Sequence, residues 1–323
     1  MQFAITAIDR YLGVFEAFVG AGWKPLKLFT VRTKSDMDNQ RAVIALAEQH
    51  DAAIQLSRMT ARDLADLRER GCDALIVASY DWPIGDWSPF LKYAVNFHSS
   101  PLPEARGPYP VVRALMEKRD SWAVTCHRLT ADIDRGEILD AERFLMGPDE
   151  CHESLDLKIQ MAAKRLATRV AAQFAERWER AQPQGEGSYW KKYELRNHVI
   201  NFEQPVEDVL LHIRAFGASG SLANVGAVWY AVKRAVGWTE RHGHAPGAIA
   251  HVHNRSIVVA AADGYVGLLE SEPVPLGVVA ELQSRLKLHG NRRRLPDVAD
   301  SVGGRTLSAA QPRTFNGESA PLS

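Results

Sequence analysis

Asn96 and His98 stand two residues apart at the end of an apolar run, in VNFHSSPLPEARGPYP at residues 95–110. On an extended strand, positions i and i+2 point to the same side. An amide with two N–H donors and an imidazole would therefore share one small volume. Donors converging at the end of a sheet can hold an oxyanion during acyl transfer, and the imidazole can carry a proton to or from an attacking amine. Pro101 and Pro103 then fix two φ angles and remove two backbone donors, so the following loop is stiff. Gly107 restores backbone freedom, and Pro110 suits a first helical turn.

A third group is needed to orient the imidazole. Asp132 and Asp134 lie in TADIDRGEIL at 130–139, where Gly136 permits a bend. A carboxylate there reaches His98 only if the two strand ends are neighbours, which periodicity does not establish. The plain alternative is a chance Asn-x-His pair and two aspartates that serve a turn.

Other polar groups carry less. Cys126-His127 and Cys151-His152 offer zinc-ligand types, but adjacent residues on a strand face opposite ways. Buried thiols beside satisfied or exposed histidines are the better expectation, and no metal is expected. His251 and His253 share one face of an expected strand and read as a solvated pair. Arg292–Arg294 read as a solvated charge run.

The elements that must position the cluster alternate. Apolar runs at 3–8, 26–31, 52–56, 73–79 and 93–97 read as strands. Residues 11–18, 38–49 and 60–70 read as helices between them. Residues 110–118 read as a helix, 122–129 and 137–144 as facing strands, and 153–180 as one long helix with an apolar stripe. This alternation implies an α/β fold with a mostly parallel sheet covered on both faces. Ligands bind such sheets at the carboxyl ends of the strands, where Asn96 and His98 fall. AQPQGEGS at 181–188 reads as a Pro/Gly/Ser-rich hinge. Beyond it, a helix at 206–216 and short strands at 248–253, 256–261 and 265–270 indicate a small β-rich unit. The expected division is 1–184, 185–287 and a polar, flexible tail at 288–323.

Composition narrows the function classes. In 323 residues, Lys+Arg and Asp+Glu are both 39. Zero net charge gives no global pull toward nucleic acid or an anionic membrane. No apolar stretch is long enough to span a bilayer. The N-terminus shows no secretory pattern, and three unpaired-looking cysteines favour a reducing cytoplasm.

The pattern Asn96-x-His98-x-Ser100-x-Leu102-Pro103-x-x-Arg106-Gly107-x-x-Pro110 resembles the signature of the folate-dependent formyltransferases. DIDRGEI at 132–138 resembles that family's Leu-Asp-x-Gly loop, with Ile133 in the leucine place. INFEQPVEDVLLHIRAFG at 200–217 is similar to the opening of the C-terminal domain of the tRNA-formylating branch. The resemblance implies a Rossmann-like catalytic domain followed by a small, open barrel-like one. It implies Asn96, His98 and Asp134 as a catalytic trio and 10-formyltetrahydrofolate as formyl donor. It also implies a pterin pocket walled by Tyr80, Trp82, Ile84, Leu129 and Ile133. The stretch TKSDMDNQ at 33–40 is shorter and more acidic than the basic loop of the tRNA branch. The expected acceptor is therefore a small-molecule amine: a sugar nucleotide, an amino acid derivative or a carrier-bound intermediate. Methionyl-tRNA is the alternative acceptor; a 10-formyltetrahydrofolate hydrolase and a non-catalytic folate-binding protein are the others. The oligomeric state is not legible.

Overall fold

The computed structural model describes residues 1–32, 39–254, 256–275 and 278. Residues 33–38 of the stretch at 33–40, Arg255 of the expected Asn-Arg turn, Arg292–Arg294 and the expected tail at 288–323 lie outside the described residues.

Strands β1 (Gln2–Thr6), β2 (Lys24–Phe29), β3 (Ala53–Gln55), β4 (Ala74–Val77) and β5 (Tyr93–His98) alternate with helices α1 (Leu12–Gly20), α2 (Arg41–Gln49) and α3 (Ala61–Glu69). The five strands run parallel. After α4 (Pro110–Met116), the antiparallel hairpin of β6 (Ser121–Arg128) and β7 (Ile138–Leu145) extends the sheet. The order is β3-β2-β1-β4-β5-β6-β7.

Alternation along the strands sorts two cores onto the two faces. Phe3 and Ile5, Ala74 and Ile76, and Tyr93, Val95 and Phe97 meet Phe15 and Phe18 of α1 and the apolar stripe of α5 (His152–Ala172). Ala4, Leu75, Val77 and Ala94 meet Leu64 and Leu67 of α3 on the other side. Parity with Ala94 puts Asn96 and His98 on the α3 face.

The helix expected at 153–180 is two. It breaks at Gln173 (φ −125, ψ 29) before α6 (Phe174–Glu179). The break turns Phe174 onto Trp23 and Tyr93, at ring distances of 5.0 and 5.2 Å. The apolar stripe continues across the break, so periodicity alone does not reveal it.

A second sheet follows α7 (Val206–Phe216). Its strands are β8 (Ser221–Val225), β9 (Val228–Thr239), β10 (Ile249–His253), β11 (Ser256–Ala260) and β12 (Gly264–Pro273), antiparallel in the order β10-β11-β12-β9-β8. Val206, Val209 and Ile213 of α7 pack on Val232, Val259, Val266 and Leu268. β8 and β9 were not expected from the sequence. Their turn uses Gly226 and Ala227, both at positive φ (58° and 67°), where Asn-Gly would have been the legible signal. β9 also pairs with β12 through two register shifts, which blur the alternation.

The stretch expected to be a hinge is docked instead. Gln182 exchanges two backbone hydrogen bonds with Ile138, and Trp190 N–H donates to the Arg106 carbonyl at 2.7 Å. Ser188 receives the N–H of Arg106 on its carbonyl and that of Ala105 on its hydroxyl. A Cβ on Gly187 would fall 2.0 Å from the Pro103 carbonyl oxygen, so only glycine permits that approach.

Trp122 ties these layers together. It is 1% exposed, donates to the Ser99 carbonyl at 2.8 Å and stacks on Trp190. Trp122→Ala is expected to destabilise the fold by about 3–5 kcal/mol through cavity formation, read as a lower urea midpoint.

Candidate active site

Register builds the site. In the antiparallel pair β5–β6, Asn96 is directly opposite His127 and His98 opposite Thr125. Directly paired residues put their side chains on the same face, so the amide of Asn96 meets the ring of His127, with Nδ2 3.1 Å from Nε2. Cys126 points into the opposite core, so Cys126 and His127 do not share a ligand sphere. Among the described residues no group of three or more His, Cys, Asp or Glu could hold a metal ion.

The loop between β6 and β7 folds back over the end of β5. Gly136 passes so close to Arg128 that a Cβ would lie 1.9 Å from its carbonyl oxygen. Gln184, from the docked segment, donates to the carbonyls of Asp134 and Gly136 at 2.9 and 2.7 Å. Arg106 holds Gln184 in turn, Nε to Oε1 at 3.0 Å. These clamps keep Asp134 in the left-handed region (φ 54°), which costs a non-glycine residue roughly 1 kcal/mol or more.

The carboxylate of Asp134 is thereby placed among donors. Gly107 N–H donates to Oδ2 at 2.8 Å and Asn96 Nδ2 to Oδ1 at 3.2 Å. His98 Nδ1 is 3.7 Å from Oδ2 and His127 Nε2 is 3.5 Å from Oδ1. Burial pushes the Asp134 pKa up, but the His127 ring, the His98 charge and the Gly107 N–H outweigh it and hold the carboxyl down at about 2. Burial lowers the His98 pKa against the pull of Asp134 and the Ala105 carbonyl.

The tautomers follow from the partners. His98 Nε2 faces the Ala105 carbonyl at 3.0 Å, so Nε2 carries the hydrogen and neutral His98 presents the Nδ1 lone pair toward Asp134. His127 Nδ1 faces the Arg128 carbonyl at 2.8 Å and is the protonated nitrogen there. Neutral His127 accepts from Asn96 through Nε2; protonated, it can donate to Asp134. Asn96 orientation is fixed too, because the reverse amide would set its oxygen against a carboxylate.

The structure thus brings Asn96, His98 and Asp134 together. Asp132 stays exposed, its carbonyl accepting the Thr130 hydroxyl. Of the expected pterin wall, Tyr80, Ile84 and Leu129 are half-buried against the α3-face core, the face that carries Asn96. The Trp82 ring meets Tyr80 edge-on at 5.3 Å. Ile133 is 62% exposed and joins no core cluster, because the turn that aims Asp134 inward leaves its predecessor outside. Trp82 packs on the α1-face core and not with Tyr80, Ile84 and Leu129, so the expected wall is divided between the two faces of the sheet. His127, Arg106 and Gln184 were missed as site residues. Cross-strand register would have found His127; nothing local marks Gln184.

The chain is a mixed seven-stranded sheet covered on both faces, with polar groups at its strand ends, followed by a five-stranded antiparallel sheet. The family described as "Formyl transferase, C-terminal domain" matches residues 194–274. A methionyl-tRNA formyltransferase of Coprothermobacter proteolyticus is 31% identical over 134 residues, 41% of this chain and 44% of that enzyme. One from Thermotoga maritima is 25% identical over 238 residues, 69% and 74% of the two chains. The chain thus spans less than half of the first relative. An N-formyltransferase from Helicobacter canadensis, solved with folinic acid and dTDP-3-aminofucose, shares the fold at TM-score 0.61 and 14% identity, covering 84% of this chain and 99% of that one. In sequence the chain is thus similar to methionyl-tRNA formyltransferases and over residues 194–274 to the formyltransferase C-terminal family, and in fold it is similar to sugar N-formyltransferases.

Two outcomes follow from this geometry. His98 has a folded pKa below its ordinary 6.5, so its contribution to stability is present above that pH and shrinks as the unfolded chain takes up the proton. His152 and His212 act in the same direction. The urea midpoint should therefore fall between pH 7.5 and 5.5, and His98→Gln should make that fall shallower. Asp134 adds a second loss only as pH drops below its ordinary 3.8 toward about 2. Gly136→Ala should preserve the far-ultraviolet circular dichroism spectrum while displacing Asp134, read as a rise of the Asp134 carboxyl pKa by NMR.

Proposed function

We propose that this protein transfers the formyl group of 10-formyltetrahydrofolate to a primary amine of a small-molecule acceptor. The observation that carries the proposal is the convergence of Asn96, His98 and Asp134 on the sheet face that also holds Tyr80, Ile84 and Leu129. The bound folate would supply an activated formyl carbon, with its pterin against Tyr80, Trp82, Ile84 and Leu129. The exposed Ile133 would have to rotate inward to join them.

The chain's own groups then have distinct tasks. Neutral His98 accepts the proton of the attacking amine at Nδ1, since Nε2–H is committed to Ala105. Asp134 stabilises the imidazolium that forms, 3.7 Å away. Asn96 donates to the formyl oxygen as negative charge develops there; collapse would then break the bond from the formyl carbon to the folate nitrogen, which takes the proton held by His98 and leaves as tetrahydrofolate. The two N–H groups of Asn96 are engaged by His127 and Asp134 at rest, so one is exchanged for the substrate oxygen.

A sugar nucleotide is one candidate acceptor, by likeness of fold to an enzyme crystallised with dTDP-3-aminofucose. The second reading is methionyl-tRNA, favoured by the names of the sequence relatives. Binding tRNA requires several phosphate contacts from Lys and Arg, and the net charge is zero.

The test is a panel of amino sugar nucleotides, amino acid derivatives and charged initiator tRNA with 10-formyltetrahydrofolate, monitored by tetrahydrofolate release and product mass. Transfer to a small amine and no retardation of tRNA in a gel support the first reading. Asn96→Ala, His98→Ala and Asp134→Ala should each lower kcat by roughly two to three orders of magnitude with the fold retained. Near-wild-type turnover in any one would remove it from the mechanism.

A further inference from the structure

Beside the loop that carries Asp134 lies a cleft of about 340 Å³, lined by Arg106, Arg135, Gly185, Glu186 and Gly187. Arg106 is 4% exposed. Two of its N–H groups go to the Gln184 side chain and the Gly185 carbonyl, each at 3.0 Å. Among the described residues no carboxylate lies within ion-pair distance of either guanidinium, Asp134 included.

 Glu186 also lines the cleft, and among the described residues it makes no ion pair with either arginine. Burial and the neighbouring positive charge of Arg135 both weaken the hold of Arg106 on its proton, against the pull of Asp134. Asp134 does not neutralise the pair, because its oxygens are taken by Gly107 and Asn96.

Bracing the docked segment accounts for Arg106 but not for Arg135. Arg135 follows Asp134 directly, is exposed, and its side chain has no protein partner among the described residues. A Cβ on Gly185 would meet nothing within 4 Å, so the cleft is open on that side. Paired guanidinium forks match the geometry of carboxylates and phosphates.

We propose that Arg106 and Arg135 form a binding site for an oxyanion group, phosphate or carboxylate, carried by one of the reactants. The site itself stands on the cleft and its two unpaired cations; assigning the anion to a reactant rests on the formyl-transfer reading. The group is either a phosphate or carboxylate of the acceptor or the glutamyl carboxylate of the folate.

The test is calorimetric titration of the full chain with inorganic pyrophosphate at low salt. Saturable binding is expected, about tenfold weaker in Arg135→Ala and partly kept in Arg135→Lys, which retains the charge without the fork. Because Arg135 is exposed, both variants should fold, which circular dichroism checks. No saturable binding by the wild type, or equal affinity in Arg135→Ala, would overturn the site. Repeating the titration with saturating 5-formyltetrahydrofolate separates the sources. Weakened pyrophosphate binding supports the site as one for the folate carboxylate, and unchanged binding supports it as one for the acceptor anion. A chain that binds pyrophosphate but formylates no amine loses the formyltransferase reading and keeps the anion site.

Discussion

A carboxylate taken out of water needs donors, and the arrangement around Asp134 is the answer this chain gives to that requirement. An unpaired buried carboxylate would shift its pKa upward and become neutral. Asp134 instead keeps its charge because Gly107 and Asn96 donate to it and two imidazoles stand beside it. Each of these contacts fixes something else. The bond from Asn96 sets which way the amide faces. The negative charge beside Nδ1 makes His98 a better proton acceptor than burial alone would allow. The bond from Gly107 ties the loop after β5 to the loop before β7.

The same requirement explains why the framework is dense there. Asp134 sits at positive φ, which an isolated turn would not sustain. The two bonds from Gln184 and the bond from Arg106 to Gln184 hold it. The signature arginine therefore acts at a distance from the trio, through an amide that lies far along the chain. Rigid placement of this kind is what proton transfer and oxyanion stabilisation need, since both lose effect steeply with misplacement.

Much of this was legible in the sequence, for identifiable reasons. Continuous apolar runs such as Ala74–Val77 and the i, i+2 spacing of Asn96 and His98 depend on local geometry, and local geometry is what periodicity reports. The stiff loop after them could be read from its prolines. Asp132 and Asp134 were both legible as turn carboxylates, and the choice of Asp134 came from a resemblance. What stayed hidden depended on contacts between distant segments. His127 looked like a packed histidine until register set it opposite Asn96. Gln184 sat in a stretch whose composition suggests a hinge, and composition does not show that Gly187 is needed for a close approach to Pro103. Strands β8 and β9 were masked by bulges and by an Ala at a positive-φ turn position.

The docked segment changes how the second sheet relates to the site. A free hinge would let the two units move independently, with the acceptor gripped by either. Here the chain leaving α6 first pairs with Ile138, then supplies Gln184, Ser188 and Trp190 to the site loops before reaching α7. Lys118, at the end of the helix that follows the signature, also reaches across to Glu207 of α7 at 2.7 Å. That exposed pair contributes little by itself, but the backbone bonds of the docked segment do not depend on it. The second unit is thus attached to the first in two ways: through the segment that also aims Asp134, and through Ala215 and Phe216 of α7, which are buried in the core of the first sheet.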